Sequence, residues 1–329
     1  MNEKNMRRVL CILGFLALIV LPLVFRNRYL QHVMVMCGIY VMLTSSWNIL
    51  AGYSGLLNLG HAAFFGVGAY ASALIVMHTG MSSWLGLFAG GAVSAVFGMV
   101  IGIPSFRLSG PYLAITTIGF SEILRMVAMN WVDLTRGSLG LYGIPPLTPF
   151  KWGSTFSIEF FSEQNYYYVV LFFVVVGLFA LRKLLGSEFG VSLESMREDE
   201  TGAESIGIDT ARYKLAVFML SAFMAGFAGA LYAHYMRLIS PEMLSLPETF
   251  SILTMAVVGG LGTLFGPVLG AVVLTVLSEG LRFVEDLLKI DIRLVLYGAL
   301  LIFTILFVRN GLVGVFQQIG GWISRKPEA

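Results

Sequence analysis

Residues 166–185 read Tyr-Tyr-Tyr-Val-Val-Leu-Phe-Phe-Val-Val-Val-Gly-Leu-Phe-Ala-Leu-Arg-Lys-Leu-Leu, with no charge before Arg182 and Lys183. At about 1.5 Å of helix per residue such a run crosses the hydrocarbon core of a bilayer, which takes about 20 apolar residues. It has to be helical there, because lipid offers no partner to an unpaired backbone N–H or C=O. Working outward, comparable stretches recur at about 9–25, 29–50, 55–77, 84–106, 111–131, 213–235, 249–262, 265–281 and 292–308, about ten candidate helices in all. The stretch at 249–262 is short and interrupted by glycine, which suits a half-helix. So many spans leave no room for a soluble domain, and residues 1–329 are read as a single all-α, polytopic transmembrane domain.

The composition agrees. Hydrophobic residues make up 57% of the chain and charged residues 12%, with a mean hydropathy of +0.83. A soluble domain carries about 25% charged residues, so a soluble enzyme is excluded. The 25 Phe, 13 Tyr and 5 Trp exclude a disordered chain. A net charge of +2 is too small for an electrostatic nucleic-acid partner. Cys11 and Cys37 both lie in apolar runs and give no disulfide framework.

Lys and Arg in the loops set the expected orientation. With the N-terminus inside, the cytoplasmic set is Lys4, Arg7, Arg8, Arg107, Arg182, Lys183, Arg197, Arg212, Lys214, Arg309, Arg325 and Lys326. The outer set is smaller: Arg26, Arg28, Arg136, Lys151, Arg237, Arg282, Lys289 and Arg293. Both termini are therefore expected in the cytoplasm. The first run follows Lys4, Arg7 and Arg8 as a signal peptide would, but no small-x-small cleavage site follows, so an uncleaved helix is expected. Two loops are long: 132–165, outside and rich in proline, and 186–212, inside and densely charged.

Several chemistries have no residues to carry them. There is no G-x-x-x-x-G-K-[ST] phosphate loop. His32, His61, His78 and His234 lack metal-ligand spacing, and there is no Cys-x-x-Cys, so no metal site is expected. What remains are polar groups within the spans: Asn58, His61, Thr116, Thr117, Ser121, Glu122 and Arg125. Such groups are costly in lipid and face a protein interior or water. Glu122 and Arg125 stand i,i+3 and can pair, either lining a route for a zwitterion or joining helices as a structural ion pair. An echo links Gly110-Pro111-Tyr112-Leu113 and Ser121-Glu122 to Gly266-Pro267-Val268-Leu269 and Ser278-Glu279.

In the inner loop, Ser192 to Ile206 carries Leu193, Met196, Ala203 and Ile206 at helical spacing among acids, and Gly207 closes it. This reads as a short amphipathic helix able to dock on a partner, or as a solvated loop.

The succession Arg197-Glu198-Asp199-Glu200-Thr201-Gly202-Ala203-Glu204-Ser205-Ile206-Gly207-Ile208 resembles the coupling segment of permeases of ABC importers of the branched-chain amino acid family (LivM-like). The likeness continues through Phe223-Met224-Ala225-Gly226-Phe227-Ala228-Gly229-Ala230-Leu231-Tyr232. It includes the blocks Gly52 to Gly66, Gly110 to Thr117 and Val258 to Pro267, in the family's order. In the wider permease pattern E-A-A-x-x-x-G, Thr201, Gly202 and Ala203 take the first three places and Gly207 the last, with Thr201 in place of the acid. In the outer loop Arg136 stands where the family usually has a second glycine.

The resemblance implies an inner-membrane permease subunit of a bacterial importer for leucine, isoleucine or valine, with urea and short amides as alternative cargo. It implies that Arg197, Glu198, Glu200, Thr201, Gly202, Ala203 and Gly207 meet one of two cytoplasmic ATPases, which bind ATP and Mg while this chain binds no cofactor. A second, related permease and a periplasmic substrate-binding protein complete the assembly; the loop 132–165 is either that protein's docking surface or an ordered cap. The reading from another class is an ion-coupled secondary transporter using Glu122 or Glu279.

Overall fold

The computed structural model describes residues 14, 16–105, 108, 110–152, 156–158, 160, 162–288, 293–308 and 311–314. Residues 9–13 and 15 of the first candidate span, Cys11 among them, lie outside the described residues, as do both termini with Lys4, Arg7, Arg8, Arg309, Arg325 and Lys326; so do Arg107 and Lys289.

Most of the described residues are helical. After α1 (residues 16–24) come α2 (Arg28–Asn48), extended by a widened π turn (Ile49–Tyr53), α3 (His61–Thr79), α4 (Ser83–Ser105) and α5 (Pro111–Asn130). The short α6 (Val132–Thr135) precedes strands β1 (Leu141–Tyr142), β2 (Phe150–Trp152) and β3 (Phe156–Ile158), then α7 (Glu163–Leu185). The inner loop forms α8 (Glu188–Glu198) and α9 (Glu200–Ser205). Next are α10 (Thr210–Met236), β4 (Leu238–Ile239), a 3-10 turn (Pro241–Leu244), α11 (Leu246–Gly259), α12 (Gly266–Leu288) and α13 (Arg293–Phe307).

Six helices among the described residues are long and apolar enough to cross a membrane: α2 with its π turn, α3, α4, α5, α7 and α10. Shorter apolar helices are α11, the Gly266–Leu281 part of α12 and Val295–Phe307 in α13. The protein is thus an all-α, multi-pass membrane protein. At 14 residues α11 is about 21 Å long, less than a bilayer core.

One expected span needs correction. The stretch at 55–77 becomes helical only at His61, because residues 55–60 send their polar groups to side chains instead of to a helix ladder. The Trp47 indole donates to Asn58 O (2.7 Å), Leu59 N–H to Thr117 Oγ1 (3.0 Å) and Gly60 N–H to Asn58 Oδ1 (2.8 Å).

At the centre α10 packs on α3 and α4. Its Ala225-Gly226-Phe227-Ala228-Gly229-Ala230 run brings backbones together, and a Cβ at Gly68 would overlap the Gly226 backbone, so only glycine fits this crossing. Trp47, Phe64, Leu87 and Phe218 fill the surrounding core.

Polar contacts fix the helix directions. Facing α10, α2 runs antiparallel, with His32 on Tyr235 (2.7 Å) and Ser46 on Ser221 (2.6 Å). Along α10, α3 runs the same way from the Gly68–Gly226 crossing to Ser72–His234 (3.0 Å). Along α2, α11 also runs the same way, through Tyr40–Glu248 and Thr44–Met255. At one end of the bundle sit α8 and α9; at the other, β1 pairs with β4 and β2 with β3, both antiparallel.

Candidate functional site

The first polar cluster is a seam inside the bundle, where α3 and α11 begin. Ala62 N–H, in the first turn of α3, donates to Thr249 Oγ1 in the first turn of α11 (3.1 Å). The two helices leave this point in opposite directions, so their N-terminal ends, each partially positive, face each other. Ser221, at the same level as Ser46, is eleven residues into α10, which puts the seam about 16 Å from the foot of that helix.

Asn58, His61, Thr117 and Ser121 gather here, each 4% exposed or less. His61 Nε2 meets Ser46 Oγ at 2.8 Å, and its Nδ1 faces Asn58 Nδ2 at 3.5 Å. The Thr117 hydroxyl accepts from Leu59 N–H and donates to Ala114 O (2.8 Å). Ser121 donates to Leu244 O (2.9 Å), tying α5 to the 3-10 turn that leads into α11. Below the seam Asn48 bridges to Thr263 O and Gly262 N–H, both at 2.9 Å. Ser46, Trp47, Ser221 and Thr249 complete the seam. The sequence reading missed them, although Thr44-Ser45-Ser46-Trp47-Asn48 is a polar break in an apolar helix.

Thr116, Glu122 and Arg125 do not join the seam. Thr116 is exposed and donates to Tyr112 O in its own helix (2.9 Å). Glu122 and Arg125 form a two-point ion pair at 2.9 and 2.5 Å on the outer side of α5, with Glu122 44% exposed.

The second cluster is the corner made by α8 and α9. The expected single helix is two helices, because Asp199 adopts an extended backbone (φ −152, ψ 105) between Glu198 and Glu200. Leu193, Met196 and Ala203 still face inward. Gly207 (φ +93) ends α9 in a conformation that suits glycine. Its N–H bonds Glu204 O (2.9 Å), and that of Ile208 bonds Ala203 O (3.1 Å). Asp209 then caps α10 by accepting from Arg212 N–H (3.1 Å).

Three ties fasten the corner. Arg197 Nη1 donates to Gly52 O in the π turn of α2 (2.6 Å). The buried ammonium of Lys214, one turn into α10, pairs with Glu200, and Thr210 donates to Glu204 (2.6 Å). A cavity of about 240 Å³ opens among Ser54, Leu113, Met196, Arg197, Glu200 and Lys214. Glu198 and Thr201 are exposed, Gly202 is half-buried, and Ile206 is 76% exposed, so the tip presents acids and one aliphatic side chain at the surface.

At the strand end Arg136 takes φ +60, a left-handed conformation that explains a glycine preference there, and its guanidinium lies 4.1 Å over the Tyr142 ring.

Residues 29–305 match a family described as branched-chain amino acid transport system / permease component. Among similar proteins is the high-affinity branched-chain amino acid transport system permease protein LivM of Salmonella typhimurium. It is 34% identical over 295 residues, 84% of this chain and 68% of the relative. LivM of Escherichia coli is 33% identical over 292 residues, with the same coverage. The permease protein LivH of Salmonella typhimurium is 29% identical over 292 residues, 84% of this chain and 91% of the relative. No solved structure matches the chain.

Proposed function

Because the chain belongs to the branched-chain amino acid transport system permease family, we propose that it is the membrane-spanning permease of an ATP-driven importer of leucine, isoleucine and valine. It works as one membrane unit of about ten helices in a bacterial inner membrane, both termini cytoplasmic, with 186–212 as the coupling loop and 132–165 on the periplasmic side. Its partners are a second, related permease, two cytoplasmic ATPases that bind the ATP and Mg, and a periplasmic substrate-binding protein.

The observation that carries this reading is the corner. Its tip is exposed while its root is tied to α2 through Arg197 and to α10 through Glu200 and Lys214. A push on the tip is thereby delivered to two helices that also border the seam. Opening the seam at Asn58, His61, Thr117 and Ser121 would part the facing ends of α3 and α11, and broken helices are where transporters commonly build their route.

The outer side of α5 supports the second permease. Thr116, Glu122 and Arg125 lie there beside exposed Ile115 and Ile123, and an ion pair is costly against lipid. This side therefore meets the partner subunit or the water-filled route between the two. Glu122 is already matched by Arg125, which disfavours its use as an ion-coupling carboxylate.

Reconstitution tests the assignment. The chain alone in vesicles is expected to be inert, and leucine uptake is expected only with the ATPases, the second permease and the binding protein. Gly207→Trp and Ala203→Asp are expected to leave the complex assembled and lower uptake per ATP by about tenfold or more. Gradient-driven uptake by the chain alone, or full coupling in both variants, refutes it.

A further inference from the structure

The tie from Arg197 does not stop at α2. Gly52 lies in the last turn of that helix, where a carbonyl has no ladder donor, and Arg197 Nη1 fills the place at 2.6 Å. Four residues earlier Asn48, 3% exposed, uses both ends of its amide on a third segment, the turn between α11 and α12. Its Oδ1 accepts from Gly262 N–H and its Nδ2 donates to Thr263 O, both at 2.9 Å.

The three segments meet with no room between them. A Cβ at Gly52 would overlap Asn48 Oδ1 and come within 2.6 Å of the Gly262 amide nitrogen, and one at Gly262 (φ +72) would lie 3.0 Å from Arg197 Nη1. A displacement of Arg197 therefore has no slack to take up before it reaches the turn.

The turn is held together in its own right. Thr263 Oγ1 donates to Gly260 O (2.8 Å) and accepts from Gly266 N–H (3.0 Å), joining the end of α11 to the start of α12. From there α11 leads to the seam, where Thr249 in its first turn accepts from Ala62 N–H. The helices α2 and α10 pass the seam and go on to the strand end. The short α11 instead has one end beside the corner and the other at the seam.

We propose that Asn48 is a positioning residue for transport: it carries the stroke of the corner from Arg197 and Gly52 into the Gly262–Thr263 turn, and so into α11, which then parts from α3 at the seam. Asn48 touches neither cargo nor nucleotide in this role. The motor that moves the corner rests on the permease reading; the linkage rests on the hydrogen bonds and the close approach of the two glycines.

The complete transporter, with its ATPases, second permease and binding protein, is reconstituted and leucine uptake is measured against ATP hydrolysis. Asn48→Leu, close in size and without either bond, is expected to lower uptake per ATP about tenfold with the KM for ATP unchanged. Asn48→Asp keeps the acceptor for Gly262 N–H and is expected to lose about threefold; it carries the test if the leucine variant fails to fold. Asn48→Leu combined with Arg197→Ala is expected to lose no more than the worse single change, because the two act in series. Hydrogen exchange reads the linkage without cargo. ATP with vanadate is expected to alter exchange at 196–207 and at 246–262 in the unmodified complex, but only at 196–207 in Asn48→Leu. Wild-type uptake per ATP in both variants, losses that multiply in the double variant, or a response at 246–262 that survives Asn48→Leu overturns the proposal. Any of these in a complex that imports leucine leaves the permease reading standing. A complex that imports no leucine, yet loses the 246–262 response in Asn48→Leu, does the reverse.

Discussion

At the seam Asn58, His61, Thr117 and Ser121 are shut away from solvent; His61, Thr117 and Ser121 each bond another segment through the side chain, and Asn58 does so through its carbonyl, which accepts from Trp47. At the corner Glu198, Thr201, Glu204 and Ile206 are exposed, and a few long side chains make the ties to the bundle. Both regions are polar insertions in an apolar protein. The seam uses polarity to close a break that helix geometry opened; the corner uses it to stay attached while leaving its tip free. Polar residues inside a membrane protein are thus not one class, and being buried does not by itself make them a route.

The strongest way to break this contrast is at the seam. His61→Ala removes a fully buried ring, deprives Asn58 Nδ2 of its partner and leaves a hole beside Phe64, at a cost of about 2–4 kcal/mol. A clear fall in thermal midpoint in detergent is expected, with little folded protein at growth temperature. A midpoint unchanged from wild type would mean that the seam is not a structural closure.

At the corner the order should reverse, with function lost before stability. Arg197→Ala gives up one charged hydrogen bond to Gly52 O, worth about 1.5 kcal/mol at most in a partly exposed setting. The thermal midpoint should hardly move while ATP-dependent uptake falls several-fold. Equal losses in both measurements would erase the distinction between the regions.

The smallest effect belongs to the strand end. Arg136→Gly relieves a left-handed backbone worth about 1–2 kcal/mol and forfeits a cation–π contact worth about 0.5–1 kcal/mol. A slight gain in thermal midpoint is expected, with uptake unchanged; a loss would mean that the Tyr142 contact outweighs the backbone strain.

How much of this was legible in the sequence follows from what hydropathy measures. It reports the length of apolar segments, so α2, α4, α5, α7 and α10 stand close to where their residues place them, and the shortness of α11 shows in Gly259-Gly260-Leu261-Gly262. It does not report where a backbone finds its partners. Residues 55–60 look as helical as their neighbours, and only Trp47 and Thr117, from two other helices, reveal that they are not. The same limit hid Thr249, which is 187 residues from the Ala62 amide it receives. At the corner the apolar spacing located the inward face, but Glu198-Asp199-Glu200 gave no sign that the chain would turn at Asp199. The family resemblance found the likeness to LivM, which composition alone does not reach.

The crossing of Gly68 and Gly226 has a mechanical consequence. With backbones in contact there, α10 is a rod pinned part-way along, 16 residues from its foot and 10 from its head. Its arms are therefore about 24 Å and about 15 Å long. Lys214, paired with Glu200, stands on the long arm near its foot, and β4, paired with β1, follows directly from the short one. A tilt about this fulcrum would swing the two ends in opposite senses, with the wider excursion at the foot: a lever geared to turn a broad stroke on one side of the membrane into a smaller, stronger one on the other.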